Sequence, residues 1–160
     1  MSCRQIALVI AVLVLTPFSH TRAADGEDEA AVLALADRAL KLISAEDFVG
    51  LSELMIEEAV MYRTVFRDGG YDVRARSYVE QRDAVIEVDI VERGFDATVL
   101  VSGPVAMVWY PYDLYVDGNW SHCGVDIFNL VQTNDGWRIS NMSWSVEQPP
   151  ACKAHPDGPP

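Results

Sequence analysis

Between residues 105 and 146 the chain reads VAMVWYPYDLYV-DG-NWSHCGVDIFNLVQT-NDG-WRISNMSWSV, and no other part of it constrains the architecture so tightly. Three runs rich in β-branched and aromatic residues are punctuated by Asp117-Gly118 and by Asn134-Asp135-Gly136. Asp-Gly between two such runs predicts a tight hairpin, because the turn positions need positive φ that these residues tolerate. Upstream, residues 88–101 form a similar run closed by Ser102-Gly103-Pro104. The expected product is a meander of four long antiparallel strands. Pro111 cannot donate a ladder hydrogen bond, so its strand is expected to bulge or to lie locally at an edge, which would help the sheet curve around a cavity.

Working back toward the N-terminus, the period changes from strand to helix. Val32, Leu35, Ala36, Ala39, Leu40 and Ile43 recur at helical spacing. Acids at residues 25–29 precede this stripe, and Arg38 and Lys41 close it, as the helix dipole favours. Ser44, with Asp47 three residues on, reads as the cap of a second, shorter helix carrying Phe48, Leu51, Leu54 and Met55. Residues 59–66 turn to strand character and stop at Asp68-Gly69-Gly70, and the Ser77-x-x-Glu80 pattern opens a third helix over residues 78–86.

The two ends of the chain differ from this body. Arg4 is followed by an apolar run over residues 6–15, too short to span a bilayer and fit for an export signal. Thr21-Arg22-Ala23 then offers small residues where a signal peptidase cuts, so residues 1–23 are expected to be a signal peptide and the mature protein to be periplasmic or secreted. Beyond residue 147 the chain holds five of its eight prolines, and residues 148–160 are expected to be a flexible tail following a domain over residues 24–147.

Charge narrows the partners. The 160 residues hold 24 acidic and 12 basic side chains, a net charge of -12. Removing residues 1–23 takes two basic residues and no acidic ones, leaving 10 against 24, a net -14. Such a balance repels phosphate backbones and anionic headgroups, which argues against nucleic acid or a membrane surface as partner. Export would place Cys123 and Cys152 where a disulfide can persist, and a free reactive thiol is the alternative. There is no Cys-x-x-Cys, phosphate loop or dinucleotide fingerprint, so neither a metal nor a cofactor is expected.

The order of helix pair, strand, third helix and curved meander resembles the nuclear transport factor 2-like superfamily. Local wording agrees. Trp109-Tyr110-Pro111-Tyr112, Tyr115-Val116-Asp117-Gly118, SHCGVDIF at residues 121–128 and Asp135-Gly136-Trp137-Arg138-Ile139 resemble its SnoaL-like and lumazine-binding branches, over residues 27–147. The resemblance implies an α+β cone with three N-terminal helices packed on a strongly curved, mainly antiparallel sheet. Members include ketosteroid isomerases, polyketide cyclases, dehydratases, epoxide hydrolases and proteins of no demonstrated activity. They share a cone rather than a reaction, and none of their catalytic sets is carried over to these residues.

A site can be argued from pairing alone. If Asp117-Gly118 is a two-residue turn, Val116 faces Asn119 and every cross-strand pair sums to 235. Met107, Trp109, Pro111, Asp113 and Tyr115 then share one face with Phe128, Asp126, Gly124, His122 and Trp120. On that face Asp126, walled by Trp109 and Phe128, is expected to have a raised pKa and serve as acid or base, with Asp113 orienting His122. Trp109, Trp120 and Phe128 are the expected ligand-binding side chains. A second reading stays open, in which Asp113 and His122 form a solvated pair and Asp126 bonds backbone. Which face lines the cavity is open too. The opposite face is nearly continuous in apolar residues, so a homodimer through the sheet is expected.

These expectations describe an exported cone that binds a small hydrophobic ring compound. An acid–base enzyme of the isomerase, cyclase or dehydratase type is one alternative, and an accessory subunit whose sheet docks on another protein is the other.

Overall fold

The computed structural model describes residues 21–160, so the signal peptide expected over residues 1–23 lies almost wholly outside the described residues. The chain runs α1 (Thr21–Ser44), α2 (Phe48–Ser52), β1 (Met55–Arg67), β2 (Gly70–Ser77), α3 (Tyr78–Arg82), β3 (Ile90–Gly94), β4 (Thr98–Ser102), β5 (Val105–Val116), β6 (Asn119–Thr133) and β7 (Gly136–Val146). One sheet of order β2-β1-β7-β6-β5-β3 results, with β4 also on β5, and every pairing is antiparallel except β1 with β7. Helices packed on one face of a curved, mainly antiparallel sheet make the expected α+β cone.

α1 lies across the concave face. Val32, Ala36, Ala39 and Leu40 on its inner stripe are buried with Val108, Phe128, Leu130 and Ile139 of the sheet, each large apolar side chain adding roughly 1.5–3 kcal/mol on burial. Two polar contacts fix its azimuth. Tyr110 Oη donates to Asp37 Oδ1 at 2.7 Å and Trp137 Nε1 donates to Asp28 Oδ1 at 3.0 Å.

Three local expectations need correction. The strand expected over residues 88–101 is two, β3 and β4, which pair with residues 112–116 and 105–109 of β5. The break falls opposite Pro111, whose missing N–H leaves no ladder bond there, although its carbonyl accepts from Phe95 N at 2.9 Å. The cap of α2 is Asp47, which accepts from Gly50 N at 2.8 Å. Ser44 instead reaches β3, where its hydroxyl accepts from Glu92 N at 2.9 Å and donates to Glu92 O at 3.2 Å. Finally, residues 70–77 are a strand that hairpins onto β1. Ser77 and Glu80 do form the expected capping box at the start of α3.

The C-terminal segment expected to be a flexible tail is tied to the outer face. Cys152 is disulfide-bonded to Cys123, and His155 N donates to Asp113 Oδ2 at 3.0 Å. The His155 ring also packs edge-on against Phe95.

Candidate functional site

Register decides which side chains meet. The Asp117-Gly118 turn forms as expected, with φ of 49° and 72°, and Val116 faces Asn119 while Tyr115 faces Trp120. At Ser121 the register slips by one, so Leu114 faces His122, Tyr112 faces Gly124 and Tyr110 faces Asp126. A single extra residue exchanges the faces of everything beyond it. The wall assembled above therefore does not exist as one surface.

Asp113 is the clearest correction. It is fully buried but on the outer face, where Arg93 clamps it with Nε–Oδ1 at 3.0 Å and Nη2–Oδ2 at 2.6 Å. With His155 N as a third donor, its oxygens are committed to holding β3 and the C-terminal segment. It does not orient His122. That imidazole is half-buried beside Tyr112, with Ser121 Oγ 2.9 Å from its Nδ1. Burial, and then the Arg63 charge, push its pKa down and favour the neutral ring.

The aromatic residues also separate. Trp109 stands on the outer face, 43% exposed. Trp120 packs edge-on against Tyr115 near the turn. Phe128 is fully buried in the core floor under α1.

Asp126 alone of the expected site residues reaches the cone interior with its carboxylate unspent. It is 3% exposed, and its Oδ2 is buried without a hydrogen-bond partner among the described residues. Asp126 and Glu92 line a cavity of about 190 Å³, together with Ile43, Met61, Leu114 and Trp144. Arg76 and Gln81 stand at the same cavity. Burial drives the Asp126 pKa well above the ordinary carboxylate range, and the Glu92 charge adds to it. Glu92 is itself pushed up to about 7 by burial. Two carboxylates in an apolar hollow share their protons, because ionising one raises the cost of ionising the other.

The tyrosines nearby are not free partners. Tyr112 Oη donates to Ser145 O at 2.7 Å, which draws the β7 backbone over Gly124, where any Cβ would collide with the Ser145 carbonyl. Tyr110 is held by Asp37.

Sequence reasoning missed Glu92, Arg76, Gln81 and Trp144. A usable signal existed for Glu92: it lies two residues after the buried Ile90, the spacing that puts both on one face of a strand. Trp144 is two residues from the buried Met142 by the same rule. Arg76 offered none, since β2 itself was not foreseen.

Solved structures share this fold. The chain matches a protein with a cystatin-like fold from Novosphingobium aromaticivorans, described as nuclear transport factor 2-like, with a TM-score of 0.63 and 18% identity over 82% of this chain and 92% of that one. The chain has the nuclear transport factor 2-like fold. With the same fold come the beta subunit of a candidate aromatic-ring-hydroxylating dioxygenase from Novosphingobium aromaticivorans (TM-score 0.65, 10% identity, 78% of this chain and 92% of that one) and a candidate dehydratase from Streptomyces avermitilis (TM-score 0.61, 21% identity, 76% and 97%). No protein-family model matches the sequence, and neither does any curated protein. In the nuclear transport factor 2-like cone the hollow between helices and sheet is where Asp126 and Glu92 stand.

Proposed function

We propose that the exported protein binds a small ring compound inside the cone, with the Asp126–Glu92 pair as its polar handle. The observation that carries this reading is a buried carboxylate oxygen, Asp126 Oδ2, with no hydrogen-bond partner among the described residues, at a cavity whose lining is mostly apolar. Buried polar groups normally find partners, and one that does not is an invitation to a ligand group. A volume of about 190 Å³ lies below the ~300–1,000 Å³ of drug-sized sites, which suits one ring rather than a polycyclic molecule. Protonated acids donate hydrogen bonds, so the ligand offers a hydroxyl or carbonyl oxygen to them.

Support for export comes from the apolar run at residues 6–15 and from the Cys123–Cys152 bridge, since such bonds persist in oxidising compartments. The reading as an accessory subunit is disfavoured, because Trp109, Trp120 and Phe128 do not fill the cavity.

Native mass spectrometry of the protein taken from its own compartment tests the proposal. One retained small molecule per subunit is expected. A protein that emerges empty and then binds no member of a panel of monocyclic aromatic phenols and acids sinks it.

An acid–base enzyme is the second reading, favoured by one observation: a carboxyl pushed up to about 7 beside another raised carboxyl can both accept and release protons near neutrality. If the protein turns over its ligand, Asp126→Asn is expected to keep binding within about threefold and to lower kcat by at least about 100-fold.

A further inference from the structure

The ligand pocket has a cationic end. Arg74, Arg63, Trp144 and Asp126 are successive cross-strand partners on β2, β1, β7 and β6, so they form one row across the concave face. Met61, on the same face as Arg63, is paired with Arg76 in the adjacent row. A second hollow of about 170 Å³, lined by Arg63, Arg74, Arg76 and Trp144, adjoins the cavity described above, with which it shares Arg76 and Trp144.

Three of the 12 basic residues of an acidic chain are thus gathered on one rim. Direct cross-strand pairing of like charges destabilises a sheet, yet Arg63 faces Arg74. Their compensation is incomplete. Asp72 alone serves both, at 3.4 Å from Arg63 and 3.3 Å from Arg74. Arg76 donates to the neutral Gln81 oxygen at 3.0 Å and makes no ion pair among the described residues, although the Glu80 carboxylate is near enough to feel its charge. Arg63 Nε is buried with no hydrogen-bond partner among the described residues. Guanidinium groups that face one another around a hollow, with one donor unspent, fit a planar anion that two of them can hold at once.

We propose that this row is the recognition site for a monocyclic aromatic carboxylate, its carboxylate on Arg63 and Arg76, its ring against Trp144 and a neutral oxygen substituent at Asp126 and Glu92. The assignment rests on the cavity reading and names its ligand class. Orientation is fixed by charge: a carboxylate at the acidic end would meet two acids, whereas at the other end three cations outnumber the acids beside them, Asp72 and Glu80. Span agrees as well. Arg63 and Asp126 are two strands apart with Trp144 between them, roughly 10 Å between backbones at ~4.8 Å per strand, a span of the order of one substituted ring.

Calorimetric titration of the purified protein with 4-hydroxybenzoate, 4-hydroxybenzamide and acetate provides the test, repeated on Arg63→Gln and Arg76→Gln. The acid is expected to bind at least about tenfold more tightly than the amide, as a charge-assisted pair implies, and acetate more weakly than either. Each substitution is expected to weaken the acid about tenfold and the amide by less than about twofold, so retained amide binding certifies the variant's fold. Equal affinity for acid and amide overturns the cationic end while leaving the cavity reading intact. A preference for the acid that survives both substitutions overturns it too. If neither ring compound binds, the cavity reading falls with it.

Discussion

At the scale of single residues, Asp126 and Glu92 trade stability for a poised proton. Both bind protons more readily in the folded state than in the unfolded chain. Their contribution is therefore fully present below the ordinary carboxylate range near 4 and is lost as pH rises through about 7, where Glu92 ionises in the fold. Glu80 and Asp83 have depressed pKa values, from hydrogen bonds to Ser77 and to Arg82, and act in the opposite sense, but only as pH falls through the acid range. Between pH 5 and pH 8 the carboxylate pair lowers stability as pH rises, and His122, whose pKa burial depresses, acts against it in the same window. Urea unfolding is expected to show a loss on the order of 2 kcal/mol across that interval. In Asp126→Asn, which keeps the shape and removes the ionisation, the loss should shrink, so that the variant exceeds the parent at pH 8. Equal slopes for the two proteins would mean that Asp126 is solvated and ionised, and the acid handle would be lost with it.

Elements come next, and here one inserted residue governs what could be foreseen. Alternation and turn chemistry were enough to place the hairpin at Asp117-Gly118 and the capping box at Ser77, because both are decided by residues adjacent in sequence. The bulge at Ser121 is not so decided. A serine in a strand carries no mark of being unpaired, and the slip depends on how β6 must bend to meet β7 and accommodate Ser145 over Gly124. That is why Asp126 was found while Trp109 and Asp113, expected to share its face, stand on the other. The same logic hid β2, whose edge position leaves Arg74 and Arg76 exposed and its hydrophobic alternation weak. Asp113 then has a structural task, tying β3 and the C-terminal segment to β5. Asp113→Asn is expected to cost about 2–4 kcal/mol, since it leaves Arg93 facing a neutral partner in a mostly buried site. Reduction of the Cys123–Cys152 bond, which closes a 29-residue separation, is expected to cost about 3.6 kcal/mol by loop entropy. Neither change touches the cavity, so 4-hydroxybenzamide affinity measured on the folded variant should stay within about twofold; a larger drop would place Asp113 in the binding machinery after all.

For the molecule as a whole, the sheet face expected to pair with a second subunit is the covered one along β5, where Val108 and Tyr110 pack in the core under α1, and the exposed apolar side chains stand on the opposite, convex surface. Tyr62, Phe66, Tyr71, Val105, Leu100 and Trp109 are all exposed there, Trp109 by 43%. Exposed apolar area of this kind supports a two-fold dimer through the convex sheet face, which we propose. Charge opposes it. Two subunits each carrying a net -12, or -14 once residues 1–23 are removed, repel each other at every separation that solvent does not screen. Association through the apolar face must therefore strengthen as salt is added, the reverse of an interface held by ion pairs. Sedimentation equilibrium at micromolar protein is expected to give dimer mass, with a dissociation constant that falls between 50 mM and 500 mM salt. Trp109→Glu should yield monomers of unchanged circular dichroism, since the indole contacts solvent rather than core. A wild-type monomer throughout this range would remove the dimer, and a dimer that loosens with salt would shift its basis from the convex apolar face to the arginine rim on β1 and β2.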